Sequence, residues 1–556
     1  MANTSQQADT VFVGGRVFTG TGPTPVDAAV AVRDGRILAV SDAATVRSLA
    51  GSRTDVVDLA GGLLVPGFQD AHVHPAVAGV QMLGCDLSGQ SAADGCLAVV
   101  GRYAKDHPDA VWIRGGGWSM DSFPGGTPTR AMLDAVVPDR PVLLTNRDGH
   151  GAWVNTRALE LAGVDRHTPD PVDGRIEREP DGTPAGTLQE GAVDLVARHM
   201  PLATPDEAHA GLLAAQEHLF SLGVTGWQDA MIGAFPGNPD NFGVYLRAAR
   251  EGSLRARVVG ALWWDRERGL EQLPELEERR RTGQVGRFNA TSVKIMQDGI
   301  AENFTAGMLE PYLDNCGCPT GNSGLSFIEP ALLAEAVCAL DRSGFQVHFH
   351  ALGDRAVREA LDALAAARAA NGAGDNRHHM AHLQIVHPDD IKRFAELEVA
   401  ANIQALWAAH EPQMDELTIP FLGADRAALQ YPFGDLARAG TRLVAGSDWS
   451  VSSPNPLWGI HVAVNRAVPR EESPGREYPP FFPEQALTLA QALTAYTVGS
   501  AWANHLDDVT GTVETGKYAD LAVLDRDPFA HPAREIAETR VSRTYVEGQL
   551  VFAATD

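Results

Sequence analysis

The stretch LLVPGFQDAHVHP, Leu63 to Pro75, runs from an apolar strand-like segment straight into two histidines. Residues two apart on a strand project to the same side, so His72 and His74 present both imidazoles to one point, where they are able to hold one metal ion. A ligand pair at the end of an apolar strand suits a parallel barrel, whose chemistry gathers at the C-terminal strand ends because side chains from several strands converge there. Seven further short runs follow the same plan: GVTGWQDA at 223–230, RARVVGALWW at 255–264, TSVKIMQDG at 291–299, QVHFHALG at 346–353, HMAHLQ at 379–384, VAANIQALW at 399–407 and RLVAGSDWS at 442–450. Longer helical patterns separate them. Strands alternating with helices predict a parallel α/β sheet, and eight of them a closed (β/α)8 barrel of the TIM type.

Outward from that core, DTVFVGGRVFTG from Asp9 and RTYVEGQLVF from Arg543 both read as strands broken at glycine, and they are expected to share a sheet. Between Val26 and Val40 the sequence forms a hairpin pattern turning at Asp34-Gly35, and GKYADLAVLD from Gly516 adds a strand. Residues 1–60 and 505–556 are therefore expected to build one small β-sandwich, discontinuous in sequence, around a barrel at 61–504. About 150 residues separate the first two barrel strands, far more than an ordinary βα loop, so 75–222 is expected to be an inserted segment capping the barrel mouth.

Composition narrows the function. With 44% apolar and 21% charged residues, the 556-residue chain has ample material for a large core. A net charge of −26 disfavours contact with phosphate backbones, and no basic run offsets it, so no nucleic-acid partner is expected. The first residues lack a signal-peptide pattern, and no stretch is long enough for a membrane span. Cys85, Cys96, Cys316, Cys318 and Cys338 are too scattered for a disulfide framework, which suits a reducing cytoplasm, and Cys316-Gly-Cys318 reads as a turn. A homodimer is the commonest assembly open to such a chain.

Further candidate ligands stand at the ends of other strands: His350 after QVHF, His382 after HMA, and Asp448 after RLVAGS. Four histidines and an aspartate supply donors for zinc or another first-row divalent ion. Lys294 lies inside the apolar strand SVKIM, where an unpaired ammonium is costly. It requires an ion pair with Asp298 or another carboxylate, or conversion of the neutral amine to a carbamate by carbon dioxide; the residues alone leave both open.

At these positions the chain resembles the amidohydrolase superfamily, in the branch that includes N-substituted formamide deformylases. The resemblance runs through PGFQDAHVHP, DGHGAWVN around His150, VKIMQDG, HFHALGDRAV, AHLQIVHPDD, AGSDWSVSSPNPLWGI and GTVETGKYADLAVLD. It implies two divalent ions per chain, most readily zinc, with His72 and His74 on one and His350 and His382 on the other. It also implies a bridging N-carboxylated Lys294, and Asp448 as both ligand and catalytic proton carrier. Ala381 stands where relatives often carry Glu, and Ala405 where they often carry Pro. Bound ions of this kind lower the pKa of water from 15.7 to about 7 and polarise a carbonyl, and Asp448 then carries the water's proton to the leaving nitrogen.

The expected function is thus metal-dependent hydrolysis of an amide-type C–N bond in a small-molecule substrate of the N-formyl or N-acyl amine class. Trp227, Trp263, Trp264, Trp407 and Trp449 fall near strand ends and bias the substrate towards apolar or aromatic groups. Trp118, Trp407, Trp449 and His150 are the candidate substrate contacts. His348 is expected to lie a layer deeper as a packed core histidine, and His378, His379 and His410 carry no motif role. The same centre acting on a cyclic amide, lactone, carbamate or deamination substrate is the nearest alternative, and a non-catalytic small-molecule-binding or regulatory relative the other.

Overall fold

The computed structural model describes residues 7–234, 238–471 and 477–555. Eight parallel strands form its centre: β1 (Phe68–Val73), β2 (Val224–Ile232), β3 (Arg257–Trp263), β4 (Phe288–Met296), β5 (Gln346–Ala351), β6 (His379–His382), β7 (Ala400–Ile403) and β8 (Leu443–Ala445). Each pairs with the next in chain order. The ring closes between β8 and β1 through the chain just beyond β8, where the Asp448 N–H donates to His72 O at 2.7 Å and the His74 N–H to Trp449 O at 2.8 Å. Gly446 permits that approach, since a Cβ there would lie 2.5 Å from the Cβ of His72. The eight strands read from the sequence are the eight of the barrel.

Helices cover the outside because their apolar positions recur at helical spacing. In Asp354–Asn371, Val357, Leu361 and Leu364 face inward with four alanines between and around them, and this face packs against Pro330–Arg342. Burying one such Val or Leu contributes about 1.5–3 kcal/mol. Pro205–Ser221, which leads into β2, starts at a capping box in which Thr204 and Glu207 satisfy each other's backbone N–H groups.

The run 63–72 is two strands. Leu63–Pro66 pairs with Arg16–Val17 and Leu521–Leu524, and the chain crosses into the barrel at Gly67, where a Cβ would lie 2.3 Å from the Thr225 hydroxyl. The terminal strands also divide. Ala8–Val13 joins a four-stranded sheet with Ala29–Arg33, Arg36–Ser41 and Ala50–Asp58, while Val541–Val546 and Gln549–Ala553 join the five-stranded sheet containing Leu63–Pro66. The break at Gly14-Gly15 sends the two halves of the first strand pattern to different sheets, so only Arg16–Val17 meets the C-terminal strands' sheet. The sheets enclose a common core containing Phe12, Val30, Leu64, Val523 and Tyr545. Arg257, the first residue of β3, ties this layer to the barrel through Asp520 at 2.8 Å and Glu547 at 2.6 Å.

Between β1 and β2 the chain builds a six-stranded sheet in the spatial order Cys85–Asp86, Ile113–Trp118, Val142–Asn146, Gly151–Val154, Pro184–Glu190, Gly174–Arg178. Its edge reaches the barrel's C-terminal face, where Asn303 donates to His150 O at 3.2 Å and Thr305 to Glu190 Oε1 at 2.7 Å. All five cysteines are free, and the Cys316 and Cys318 N–H groups both donate to Asp314, as expected of a turn. Among the described residues, no helix is long and apolar enough to cross a membrane.

Candidate metal centre

His72 and His74 leave the end of β1 with their Nε2 atoms 3.0 and 2.9 Å from one oxygen, Asp448 Oδ1. His382 ends β6 with Nδ1 4.0 Å from Asp448 Oδ2, too far for a hydrogen bond. Its ring centroid is 4.8 Å from that of His72 and 4.4 Å from that of His350. The Lys294 Nζ, from β4, lies 3.4 Å from His72 Nε2. The six residues picked out in the sequence as candidate ligands are therefore neighbours. His382 and Asp448 both adopt left-handed backbone, with φ of 80° and 56°, each held by its own N–H: His382 to Gln404 Oε1 and Asp448 to His72 O, both at 2.7 Å. Such conformations are costly for non-glycine residues and concentrate at functional sites.

Burial sets the charge state. Desolvation, helped by the Lys294 ammonium, pushes the His72 imidazolium down to about 3, and burial with neighbouring positive groups holds His350 and His382 well below the usual histidine range. Burial opposes ionisation of Asp448, but His72, His74 and His382 outweigh it and keep the carboxyl far below its ordinary value. His72, His350 and His382 are thus neutral imidazoles beside a carboxylate, the ionisation state in which these side chains bind metal.

The donors fit a metal ion on an observation independent of any motif. Both ring nitrogens of His382 are buried without a hydrogen-bond partner among the described residues, as are His74 Nδ1 and His350 Nδ1. Each such buried orphan costs about 1–3 kcal/mol, and a bound ion is one of the few things that relieves it. Donor atoms of His72, His382 and Asp448 all lie within 4.8 Å of one another.

Around this set, Trp407 stacks on His382 with centroids 5.2 Å apart and planes 4° from parallel. His150 lies with its ring 5.5 Å from that of His350, and its Nδ1 is 2.9 Å from Glu190 Oε2. Trp449 packs on His218 beside the centre. Trp118 is a correction. It sits in the core of the inserted segment, 1% exposed, packed on Phe123 and Trp153 with its indole N–H on Leu144 O, because its strand continues that segment's own sheet. Trp227 is likewise core.

Asp298 does not pair with Lys294. It accepts the N–H groups of Gly307, Leu352 and Gly353 and stands 3.3 Å from His350 Nδ1. His348 is buried as expected but is more than packing, since its Nε2 lies 2.8 Å from His72 Nδ1. His379, also without a motif role, bonds Gln228. The signal for His348 was in QVHFH: alternate polar residues on a buried strand place Gln346, His348 and His350 on one inward face.

An eight-stranded barrel carrying neutral histidines and a carboxylate at its C-terminal face defines the class of metal-dependent hydrolases. A family model described as amidohydrolase family matches residues 55–552, and the chain belongs to that family, as a hydrolase acting on carbon–nitrogen bonds. It is 32% identical to Protein LONG AFTER FAR-RED 3 of Arabidopsis thaliana, over 98% of this chain and 92% of the other. It is 29% identical to the N-substituted formamide deformylase of Arthrobacter pascens, over 99% of both. Among solved structures, an uncharacterized metal-dependent hydrolase from Pyrococcus furiosus superposes with a TM-score of 0.70 at 26% identity, covering 93% of this chain and 99% of that one.

Proposed function

We propose that the protein hydrolyses the C–N bond of an N-formyl or N-acyl amine bearing an apolar or aromatic group. The observation that carries the reading is His382, buried beside His72 and Asp448 with both ring nitrogens unpartnered among the described residues. His72, His74, Lys294, His350, His382 and Asp448 would hold two divalent ions such as zinc, which when bound supply a water of lowered pKa and a Lewis acid for the carbonyl. Asp448, ionised and facing His72 and His74, takes the proton of the attacking water and returns it to the departing nitrogen, because an amide leaves poorly unless that nitrogen is protonated. Burial brings the Lys294 ammonium down to about 7. A substantial neutral fraction is then present at physiological pH to form a carbamate with carbon dioxide, which supports the bridging role.

His150 has its Nδ1 committed to Glu190, which leaves Nε2 for the substrate. Trp407 forms an apolar wall over His382, and Trp449 stands on the loop that carries Asp448. The formamide deformylase relative supports the bond class. The test is a panel of N-formyl amines, N-acyl amino acids, lactones and ring amides. Turnover should be fastest for N-formyl or N-acyl amines with aromatic groups. Turnover confined to lactones or ring amides, or a preference for small, strongly polar amides, would overturn the proposal.

A further inference from the structure

The interior of this barrel beneath the candidate ligands is polar, where such barrels are ordinarily filled by branched apolar side chains. Gln228, His348, His379 and Asn402 are wholly buried, and Gln346 and Gln404 nearly so. Their bonds have a direction that follows from two fixed points. The first is a pair of backbone carbonyls, Arg377 O and Ala503 O, which only accept; both face Gln346 Nε2, at 2.8 and 2.6 Å. Gln346 Oε1 is therefore its acceptor end, and it takes a hydrogen bond from Gln228 Nε2 at 2.9 Å. Gln228 Nε2 also donates to Asn504 Oδ1 at 3.1 Å.

Gln228 Oε1 must then accept. Two imidazoles point at it, His348 Nδ1 at 2.6 Å and His379 Nε2 at 3.1 Å, so each carries its proton there. A neutral His348 protonated on Nδ1 has a bare Nε2, which accepts from His72 Nδ1 at 2.8 Å. His72 is thus protonated on Nδ1, and its bare Nε2 faces the Lys294 ammonium at 3.4 Å, while Asp448 Oδ1, 3.0 Å away and itself an acceptor, takes its hydrogen bond from His74 Nε2 at 2.9 Å.

The second fixed point gives the same answer independently. Ala71 O accepts from Asn402 Nδ2 at 3.0 Å, which makes that atom the amide nitrogen; it lies 3.2 Å from His379 Nδ1, so His379 accepts there and must donate from Nε2 to Gln228. Asn402 Oδ1 in turn accepts from Gln404 Nε2 at 3.0 Å, and Gln404 Oε1 takes the His382 N–H at 2.7 Å.

We infer that Gln346, Gln228 and His348 form a directional relay, anchored on the Arg377 and Ala503 carbonyls, that fixes His72 as its Nδ1–H tautomer and so prepares Nε2 as a metal donor before any ion arrives. The Asn402–Gln404 branch fixes the backbone of His382 in the same network. These are positioning residues, acting through His72 and His382 rather than touching substrate. The inference rests on the reading of His72 as a metal ligand, but the tautomer can be measured without metal.

The experiment is 15N NMR of histidine-labelled, metal-free protein, with the His72 resonances identified by their loss in His72→Gln. The expected result is a protonated Nδ1 and a bare Nε2 at neutral pH. A protonated Nε2, or an even mixture of tautomers, would overturn the relay. His348→Leu removes the acceptor and should release His72 into a tautomer mixture and weaken zinc affinity about 10–100-fold, measured by chelator competition. His348→Gln, which can still accept from His72 and donate to Gln228, should recover most of that loss; equal loss in both would mean that His348 only fills space. If the tautomer is as stated but no zinc binds, the metal reading fails and the relay stands.

Discussion

Trp407 lies parallel to His382, its ring plane 4° from that of the imidazole and 5.2 Å away between centroids. A residue on the loop after β7 thereby covers one face of a residue at the end of β6. The indole shields an imidazole whose nitrogens have no protein partner among the described residues, and under the proposed function it also offers an apolar wall to substrate. Aromatic contacts of this kind contribute about 0.5–1.5 kcal/mol beyond area burial. Trp407→Ala should therefore lower kcat/KM on an aromatic N-formyl amine by about tenfold, and Trp407→Phe by much less. Steady-state kinetics on both variants checks this, and equal activity in the wild type and Trp407→Ala would remove Trp407 from the substrate site.

Asp448→Asn, His72→Asn and His74→Asn should each reduce turnover by several orders of magnitude while the far-UV circular dichroism spectrum stays that of the wild type. The three side chains meet at a single carboxylate oxygen, and the barrel's apolar layers lie outside that cluster. Full activity in any of the three would contradict the assigned roles.

Trp118 separates structure from specificity. Packed in the core of the inserted segment, it should cost about 3–5 kcal/mol as Trp118→Ala. The remaining folded enzyme should keep the wild-type ranking of substrates. Thermal unfolding with the substrate panel tests this, and a changed ranking without loss of stability would return Trp118 to the binding site.

Stability should depend on pH through Glu302, in the segment after β4. Burial, then the neighbouring Asp148 carboxylate, raises Glu302 from 4.5 to about 7. Between those values the folded chain holds a proton that the unfolded chain has released, so this group's contribution to stability is present at low pH and is lost as pH rises through about 7. The loss is at most about 3 kcal/mol before solvent screening of a partly exposed side chain reduces it. Glu302→Gln lacks the ionisation. Its melting temperature relative to the wild type should therefore rise from pH 5 to pH 7.5, and a constant difference would show that Glu302 titrates normally.

The barrel was legible because eight short apolar runs alternate with longer helical patterns, and His72, His74, His350, His382 and Asp448 were found because they stand at the ends of four of those runs. What the sequence did not reveal follows from how strands are read. The passage from Pro66 to Phe68 stays apolar on both sides, so periodicity cannot show that the chain changes sheets there; the pairing of Leu63–Pro66 with Leu521–Leu524 and of Phe68 with Val224 does. Trp118 was misplaced because an aromatic near a strand end has the same pattern in a cap's own core as at a barrel mouth. Gln228, Asn402 and Gln404 went unnoticed because neutral amides carry no motif, and their role lies in hydrogen-bond direction, which sequence spacing does not encode. Glu190 is separated by 40 residues from the His150 that it holds.

The most direct test is metal content per chain, by elemental analysis of wild-type protein and of His382→Ala, read beside formamide hydrolysis before and after chelation. Close to two zinc-like ions in the wild type, fewer in the variant, and hydrolysis that is lost on chelation and restored by added metal are the expected results. A wild-type chain that binds no ion, or that hydrolyses formamides equally well after complete metal removal, would contradict the metal centre formed by His72, His74, His350, His382 and Asp448.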